Sequence, residues 1–184
     1  MNLLAIETST ECCSSALSTG ARLIQRSELA PRRHAELLLP MCEELLAEAG
    51  LERRDLDALA VGCGPGAFTG VRLAVSAAQG IAFALDIPVV PVSSLAALAL
   101  QAPDNGAAIL AVIDARMGEI YAGTFRRTRD GGIEAIGIES VGAAVALELP
   151  DAPAWNVIGS GWSTYEEVLL TRLPAAPLWA DGDR

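Results

Sequence analysis

The stretch GCGPGAFTGVRLAVSAAQGIAFAL, residues 62–85, sets four glycines, Gly62, Gly64, Gly66 and Gly70, directly ahead of an alanine-rich segment. A glycine loop that opens a helix is a common phosphate cradle, because the first helical amides are unpaired and the dipole favours an anion. Two fingerprints would make that reading specific, and both fail. A Walker A loop needs Gly-Lys-Ser/Thr, whereas Gly70 is followed by Val71 and Arg72. The dinucleotide pattern Gly-x-Gly-x-x-Gly fails because GPGAFTG spaces its last glycine too far. Gly64-Pro65-Gly66 still forces a sharp turn, and Thr69 is expected to cap the helix that follows. An anion at the helix start stays open as an alternative.

The helix expected over Val71 to Leu85 carries more information. Projected at about 100° per residue, Arg72, Ser76, Gln79 and Phe83 share a narrow arc, and small apolar residues line every other direction. A surface helix normally shows one apolar stripe. The helical stretch starting at His34 and stopping at Gly50 also has a wide apolar arc over Leu37 to Leu46, with Pro40 expected to kink or break it. Two helices too apolar for one core point to a second burial surface, either a partner or the chain's own second half. The residues assigned to a helical interface are Leu38, Met41, Leu45, Val71, Ala74, Val75, Ala78 and Ala82.

Composition narrows the function classes. A net charge of −10 and a pI near 4.5 argue against a stand-alone nucleic-acid binder, so nucleic-acid binding by the isolated chain should be weak. The short basic clusters Arg32-Arg33, Arg53-Arg54 and RRTR (Arg126 to Arg129) read as solvated turns. Four cysteines with no Cys-x-x-Cys pair and one histidine, His34, make a zinc site unexpected, and the thiols read as small buried apolar groups. One histidine cannot build a histidine-based triad. No apolar run approaches the ~20 residues of a bilayer span, and the opening MNLLAIETST lacks a signal peptide's basic lead. The expectation is a cytosolic, cytoplasmic protein with no membrane contact.

The order of elements suggests a repeat. LLAIET, CSSALS and RLIQRSE read as a meander of three strands. A helix, a strand at DALAVGCG, the helix after the glycine loop and a strand at PVVPVSS follow, with Ser93 or Ser94 capping a helix through Leu100. QAPDNG is the expected boundary, giving lobes at 1–102 and 107–184. The second half repeats the pattern with strands at AAILAVIDA, GEIYAGTFRR and GGIEAIGIE, a helix at Val141 to Leu149, a strand at WNVIGS and a helix at STYEEVLLTRL. Two α/β lobes, each a mixed sheet flanked by helices, follow the order of the actin-like ATPase fold with its ribonuclease H-like units. In that fold the first hairpin holds phosphate, which makes Glu7, Thr8, Ser9 and Thr10 nucleotide-binding candidates beside the alternative of a capped polar turn. At the matching hairpin, Asp114 and Arg116 read as an ion pair positioning the turn, with a substrate contact as the alternative.

LLAIETST, HAELLLP, GCGPGAFTGVRLAVSAAQGIA and DARMGEIYA, in this order, resemble the bacterial TsaB (YeaZ) family over about residues 1 to 165. The resemblance implies a non-catalytic subunit of the machinery that installs threonylcarbamoyl on the tRNA adenosine next to the anticodon. The catalytic paralogue, TsaD, shares the fold and holds a metal through His-x-x-x-His, where this chain reads HAELL. The implied role is a scaffold or activator that has lost its metal site, a pseudoenzyme. The implied partners are a second copy in a homodimer, TsaD, the ATPase subunit TsaE, and tRNA only through the complex. No cofactor of its own is implied, with ATP or ADP placed at the interface with the paralogue. In this family the glycine loop and its helix build a helical interface for the homodimer or for the paralogue. The competing reading is an independent actin-like-fold ATPase or metallopeptidase. The family continues with a further helix and a tail, whereas this sequence stops at PLWADGDR. Either the chain is shortened or its last strand and helix are absent, leaving the second lobe incomplete.

Overall fold

The computed structural model describes residues 1–183, which divide into two compact units, Met1–Ser94 and a second beginning at Leu95. In the first unit, strands β1 (Leu3–Glu7), β2 (Cys12–Ser18) and β3 (Leu23–Leu29) form the expected antiparallel meander, with Glu7 opposite Ser14 and Cys12 opposite Leu29. Helix α1 (His34–Ala49) leads through a 3₁₀ turn at Arg53–Asp55 into β4 (Ala58–Gly62), parallel to β1. Helix α2 (Phe68–Leu85) returns the chain to β5 (Val89–Val92), parallel to β4. The sheet order is β3-β2-β1-β4-β5.

Side-chain alternation explains the core of this unit. Leu4 and Ile6 of β1, and Cys13 and Leu17 of β2, point to one face and are buried. Leu38, Met41, Cys42, Leu45 and Leu46 of α1 pack on that face together with Ala74 and Ala78 of α2. Helix α1 runs through Pro40 without a break, because Pro40 lies on the exposed side where water can satisfy the carbonyl it leaves unpaired.

The second unit repeats the plan. Helix α3 (Ser94–Ala99) precedes β6 (Ala108–Arg116) and β7 (Glu119–Arg127), which pair as a hairpin. Then come β8 (Ile133–Ala135), β9 (Ser140–Ala143), β10 (Trp155–Ile158), helix α4 (Ser160–Leu170) and β11 (Trp179–Asp181). The order is β11-β10-β6-β7-β8, with β9 also on β7, and β10 and β11 run parallel to β6. Each sheet therefore places its own first strand at the centre, with the second and third to one side and two parallel strands to the other. This is the ribonuclease H-like order of the actin-like ATPase fold.

Three expectations change and one alternative closes. The division falls at Ser94/Leu95, ahead of the boundary expected at 102–107, because Leu95, Leu98, Ala99 and Ala102 pack with Ile109 and Ala111. The helix expected over Val141 to Leu149 is a strand, β9, and a 3₁₀ turn at Ala144–Ala146, since pairing with β7 satisfies this backbone. The second sheet's fifth strand, which the sequence left open, is present: β11 pairs with β10. Helix α2 starts at Phe68, so Thr69 lies inside the first turn and Ala67 is the N-cap.

By length and composition, 18-residue α2 is also apolar enough to cross a membrane, contrary to the absence of such a run expected above. Its buried stripe is Gly70, Ala74, Ala78 and Ala82, and Ala74 and Ala78 belong to the core of the first unit.

Candidate functional site

Three of the four glycines are explained by the turn between β1 and β2, and the fourth, Gly64, by its left-handed φ of 90°. Parallel pairing sets Ile6 beside Val61, which brings Glu7 next to Gly62. A Cβ at Gly62 would overlap the Glu7 carboxylate, one at Gly66 the Ser9 carbonyl, and one at Gly70 the Thr8 carbonyl. Glycine at these places lets the hairpin turn lie directly on the loop. The Ala67 amide donates to the Ser9 carbonyl at 2.7 Å, and the Ser94 amide donates to the Gly64 carbonyl at 2.8 Å.

The candidate phosphate residues are brought together, but three of the four are turned inward. The Ser9 amide donates to Glu7 Oε1 at 2.6 Å, and Ser94 Oγ donates to Glu7 Oε2 at 2.8 Å. The Ser94 proton is thereby committed, so Ser9 Oγ, 2.8 Å away, is the donor between the two hydroxyls. Thr8 Oγ1 donates to the Gly70 carbonyl at 2.7 Å. Thr8 and Ser9 are 0% and 1% exposed. Thr10 is exposed; its hydroxyl accepts the Cys12 amide and its carbonyl accepts His34 Nε2 at 3.0 Å. The relay Ser9–Ser94–Glu7 thus ends on a carboxylate inside the protein. Ser94, read from sequence only as a helix cap, is its middle member, a role visible only once β5 brings it back beside β1 and β4.

Asp114 and Arg116 behave as the ion pair that positions their turn. Asp114 Oδ1 accepts the Arg116 amide at 2.8 Å, and the Arg116 guanidinium lies 3.4 Å from Oδ2. Ser160 Oγ accepts the Asp114 amide at 3.2 Å, and Tyr165 donates its hydroxyl to Asp114 at 3.4 Å. Burial, then the Asp114 charge, raises the Tyr165 pKa, which keeps it a donor.

The interface assignment needs correction. Leu38, Met41, Leu45, Ala74, Ala78 and Ala82 are buried against the first unit's own sheet, while Val71 and Val75 are half-buried. Helix periodicity reports how apolar an arc is, not which arc faces the sheet, and the small residues Ala74 and Ala78 let α2 pack on the first unit's core. The exposed arc carries Phe68, Arg72, Ser76, Gln79, Gly80 and Phe83. Phe83 is 91% exposed and Phe68 71%. The Arg72 guanidinium stacks 3.1 Å from the Phe68 ring centre. Beside Phe83, the helix end and β5 border a shallow, open depression that includes Gln79, Gly80, Asp86 and Val89.

Burial raises the thiol pKa of Cys12, Cys13 and Cys42, that of Cys13 to about 11, so these groups stay protonated and inert. Cys63 is exposed, contrary to the buried reading, and directs its thiol to the Val92 carbonyl. Among the described residues, no group of three or more His, Cys, Asp or Glu side chains could hold a metal ion. Most basic clusters are paired at the surface, as with Arg33–Glu28 and Arg53–Glu43. Arg127 is not a solvated turn: its guanidinium donates to the carbonyls of Leu100, Ala102 and Gly131.

Comparison with known proteins agrees with this architecture. The family model for TsaD, tRNA N6-adenosine threonylcarbamoyltransferase, matches residues 26–164. The tRNA threonylcarbamoyladenosine biosynthesis protein TsaB of Escherichia coli is 38% identical over 91% of this chain and 75% of its own. Its namesake in Haemophilus influenzae is 49% identical over 66% of this chain and 52% of its own. The structure of YeaZ from Pseudomonas aeruginosa superposes with a TM-score of 0.90 at 44% identity, covering 100% of this chain and 84% of that one. A second structure from that organism, with the same score and identity, is described as similar to peptidase YeaZ. With its two ribonuclease H-like sheets, its hairpin closed on the glycine loop and these relatives, the chain belongs to the TsaB (YeaZ) family.

Proposed function

We propose that the chain acts in forming threonylcarbamoyladenosine in tRNA as a scaffold subunit. In this reading it pairs with the catalytic paralogue TsaD and activates threonylcarbamoyl transfer to the adenosine beside the anticodon. The observation that carries it is the outer face of α2. A phenylalanine 91% exposed on a small-residue helix, beside a shallow depression of mixed apolar and polar lining, fits a surface made for another helix. Arg72 and Asp86 lie equally far from Gln79 along α2, so an antiparallel partner helix centred there would set Arg72 against an acid and Asp86 against a base. A second copy meets that requirement, and a paralogue would have to present the same pair of charges. The homodimer and the complex with the paralogue then compete for one face.

The subunit supplies no catalytic residue in this account. ATP or ADP enters at the interface with the paralogue, since the Thr8 and Ser9 hydroxyls are already spent within the chain. The net charge of −10 leaves tRNA to the assembled complex, in the cytoplasm, with the ATPase subunit TsaE as third component.

The test is co-purification with TsaD and TsaE, followed by an assay of tRNA modification. The wild-type chain should be retained and should raise the activity of TsaD. The Phe83→Arg protein should fold, lose retention and lose activation. A Phe83→Arg protein that binds and activates like wild type would move the interface elsewhere. Modification unaffected by omitting the chain would refute the scaffold role.

A further inference from the structure

We propose that the free edge of β3 pairs antiparallel with β3 of a second copy, about a two-fold axis at Ser27, joining two five-stranded sheets into one. This does not depend on the α2 face. An exposed strand edge is a template for another chain, and proteins usually blunt it by shortness, proline or a bulge.

The other edges are blunted. Strand β5 bonds β4 through the carbonyls of Pro88 and Val92, so Val89 and Pro91 face outward, and Pro91 has no amide to offer. Strands β8 and β11 have three residues each, and β9 has four. Strand β3 has seven, no proline and an unbroken register with β2.

The direction of its free groups follows from two hydrogen bonds. Thr19 donates to the Arg22 carbonyl and Ala30 donates to the Glu11 carbonyl, which fixes the even-numbered residues of this strand as those facing β2. Leu23, Gln25, Ser27 and Leu29 therefore aim their amides and carbonyls at the free edge; the Gln25 carbonyl already accepts Arg26 Nη1 at 3.0 Å and keeps its second lone pair for a strand partner. A two-fold at Ser27 makes Ser27 of each copy a hydrogen-bonded pair and sets Gln25 against Leu29 of the second copy in the same way. It also sets Arg26 opposite Glu28 of the second copy, twice, on the face that carries α1. Arg26 already reaches Glu44 and Glu48 there, and Glu28 holds Arg33, so the cross-strand pairs extend existing charge chains. Moving the axis to Arg26 would put two arginines face to face, which is unfavourable. Leu29, 72% exposed, is covered by the stem of Gln25 of the second copy.

Disulfide trapping of the full chain tests the register, because an edge pairing of this size is weak. Cys63 is first changed to Ser, since it is exposed. In that background Ser27→Cys should cross-link two copies under mild oxidation, as hydrogen-bonded pairs hold their Cα atoms about 5.5 Å apart, within disulfide range. Gln25→Cys should not, because its counterpart lies four residues along the strand, roughly 13 Å away. With Phe83→Arg added to remove association through α2, Ser27→Pro should weaken self-association about tenfold in sedimentation. Its amide faces outward, so the β2 ladder stays intact, which thermal unfolding checks. A monomeric Ser27→Cys protein, or equal cross-linking from Gln25→Cys, would overturn the proposal. So would a folded Ser27→Pro protein that associates as tightly as its parent.

Discussion

The Glu7 carboxylate occupies the space into which a side chain at Gly62 would project. It is held there by the Ser9 amide and the Ser94 hydroxyl, so it is not free to swing aside. Gly62→Ala should displace it, break both bonds and cost about 1–3 kcal/mol. Gly70→Ala should cost more, because its methyl group would meet the Thr8 backbone carbonyl rather than a side-chain end. Urea unfolding of the two variants gives the order directly. A Gly70→Ala protein as stable as wild type would mean that turn and loop are not pressed together.

Position along α2 decides what an arginine does. Ala78 is 1% exposed, so Ala78→Arg should unfold the first unit, whereas Phe83→Arg should leave circular dichroism and melting temperature near wild type. If two copies pair through α2 as proposed, the sedimentation coefficient of folded Phe83→Arg should then fall, leaving only the weaker association proposed for β3. Loss of fold in both would assign Phe83 to the core.

Glu48 ties α1 to β3 by accepting hydrogen bonds from Arg26 and Arg22. The Arg26 hydrogen bond, with further help from both arginine charges, holds its carboxyl below the usual carboxylate range, against a smaller opposing effect of burial. A depressed folded value means stability that is fully present above the unfolded value of about 4.3 and lost as pH falls through the folded one. The melting-temperature difference between wild type and Glu48→Gln should therefore be positive at pH 7 and close on acidification below about pH 4. A difference that widens in acid would have the wrong sign.

Arg127 joins β7 to the segment after α3 through three carbonyls. Arg127→Ala leaves them without that donor and should cost about 2–4 kcal/mol. Arg127→Lys should recover only part of this, since one ammonium cannot match the planar fork. Chemical denaturation of both variants checks the order. An alanine variant within 0.5 kcal/mol of wild type, roughly the size of an ordinary surface substitution, would return Arg127 to the solvated class.

Much of the chain could be read from local pattern. The meander of β1, β2 and β3, the helices α1 and α2 and the repeated order of elements depend on alternation, helical spacing and turn residues, all short-range properties. The family followed from segments that carry the same local demands. Three things depended on contacts between distant residues. The alanine stripe of α2 could have faced the sheet or a partner equally well by composition, and only the seating of Ala74, Ala78 and Ala82 on the core chose between them. The second unit began earlier than the turn-rich QAPDNG segment suggested, because α3 found its apolar partners downstream. The glycines pointed by local habit to a bound phosphate, whereas parallel pairing of β1 with β4 put Glu7 beside Gly62, and Ser94 reached the same carboxylate from 87 residues away. Strand pairing across the chain, not the loop's own sequence, decided that these glycines make room for the protein itself.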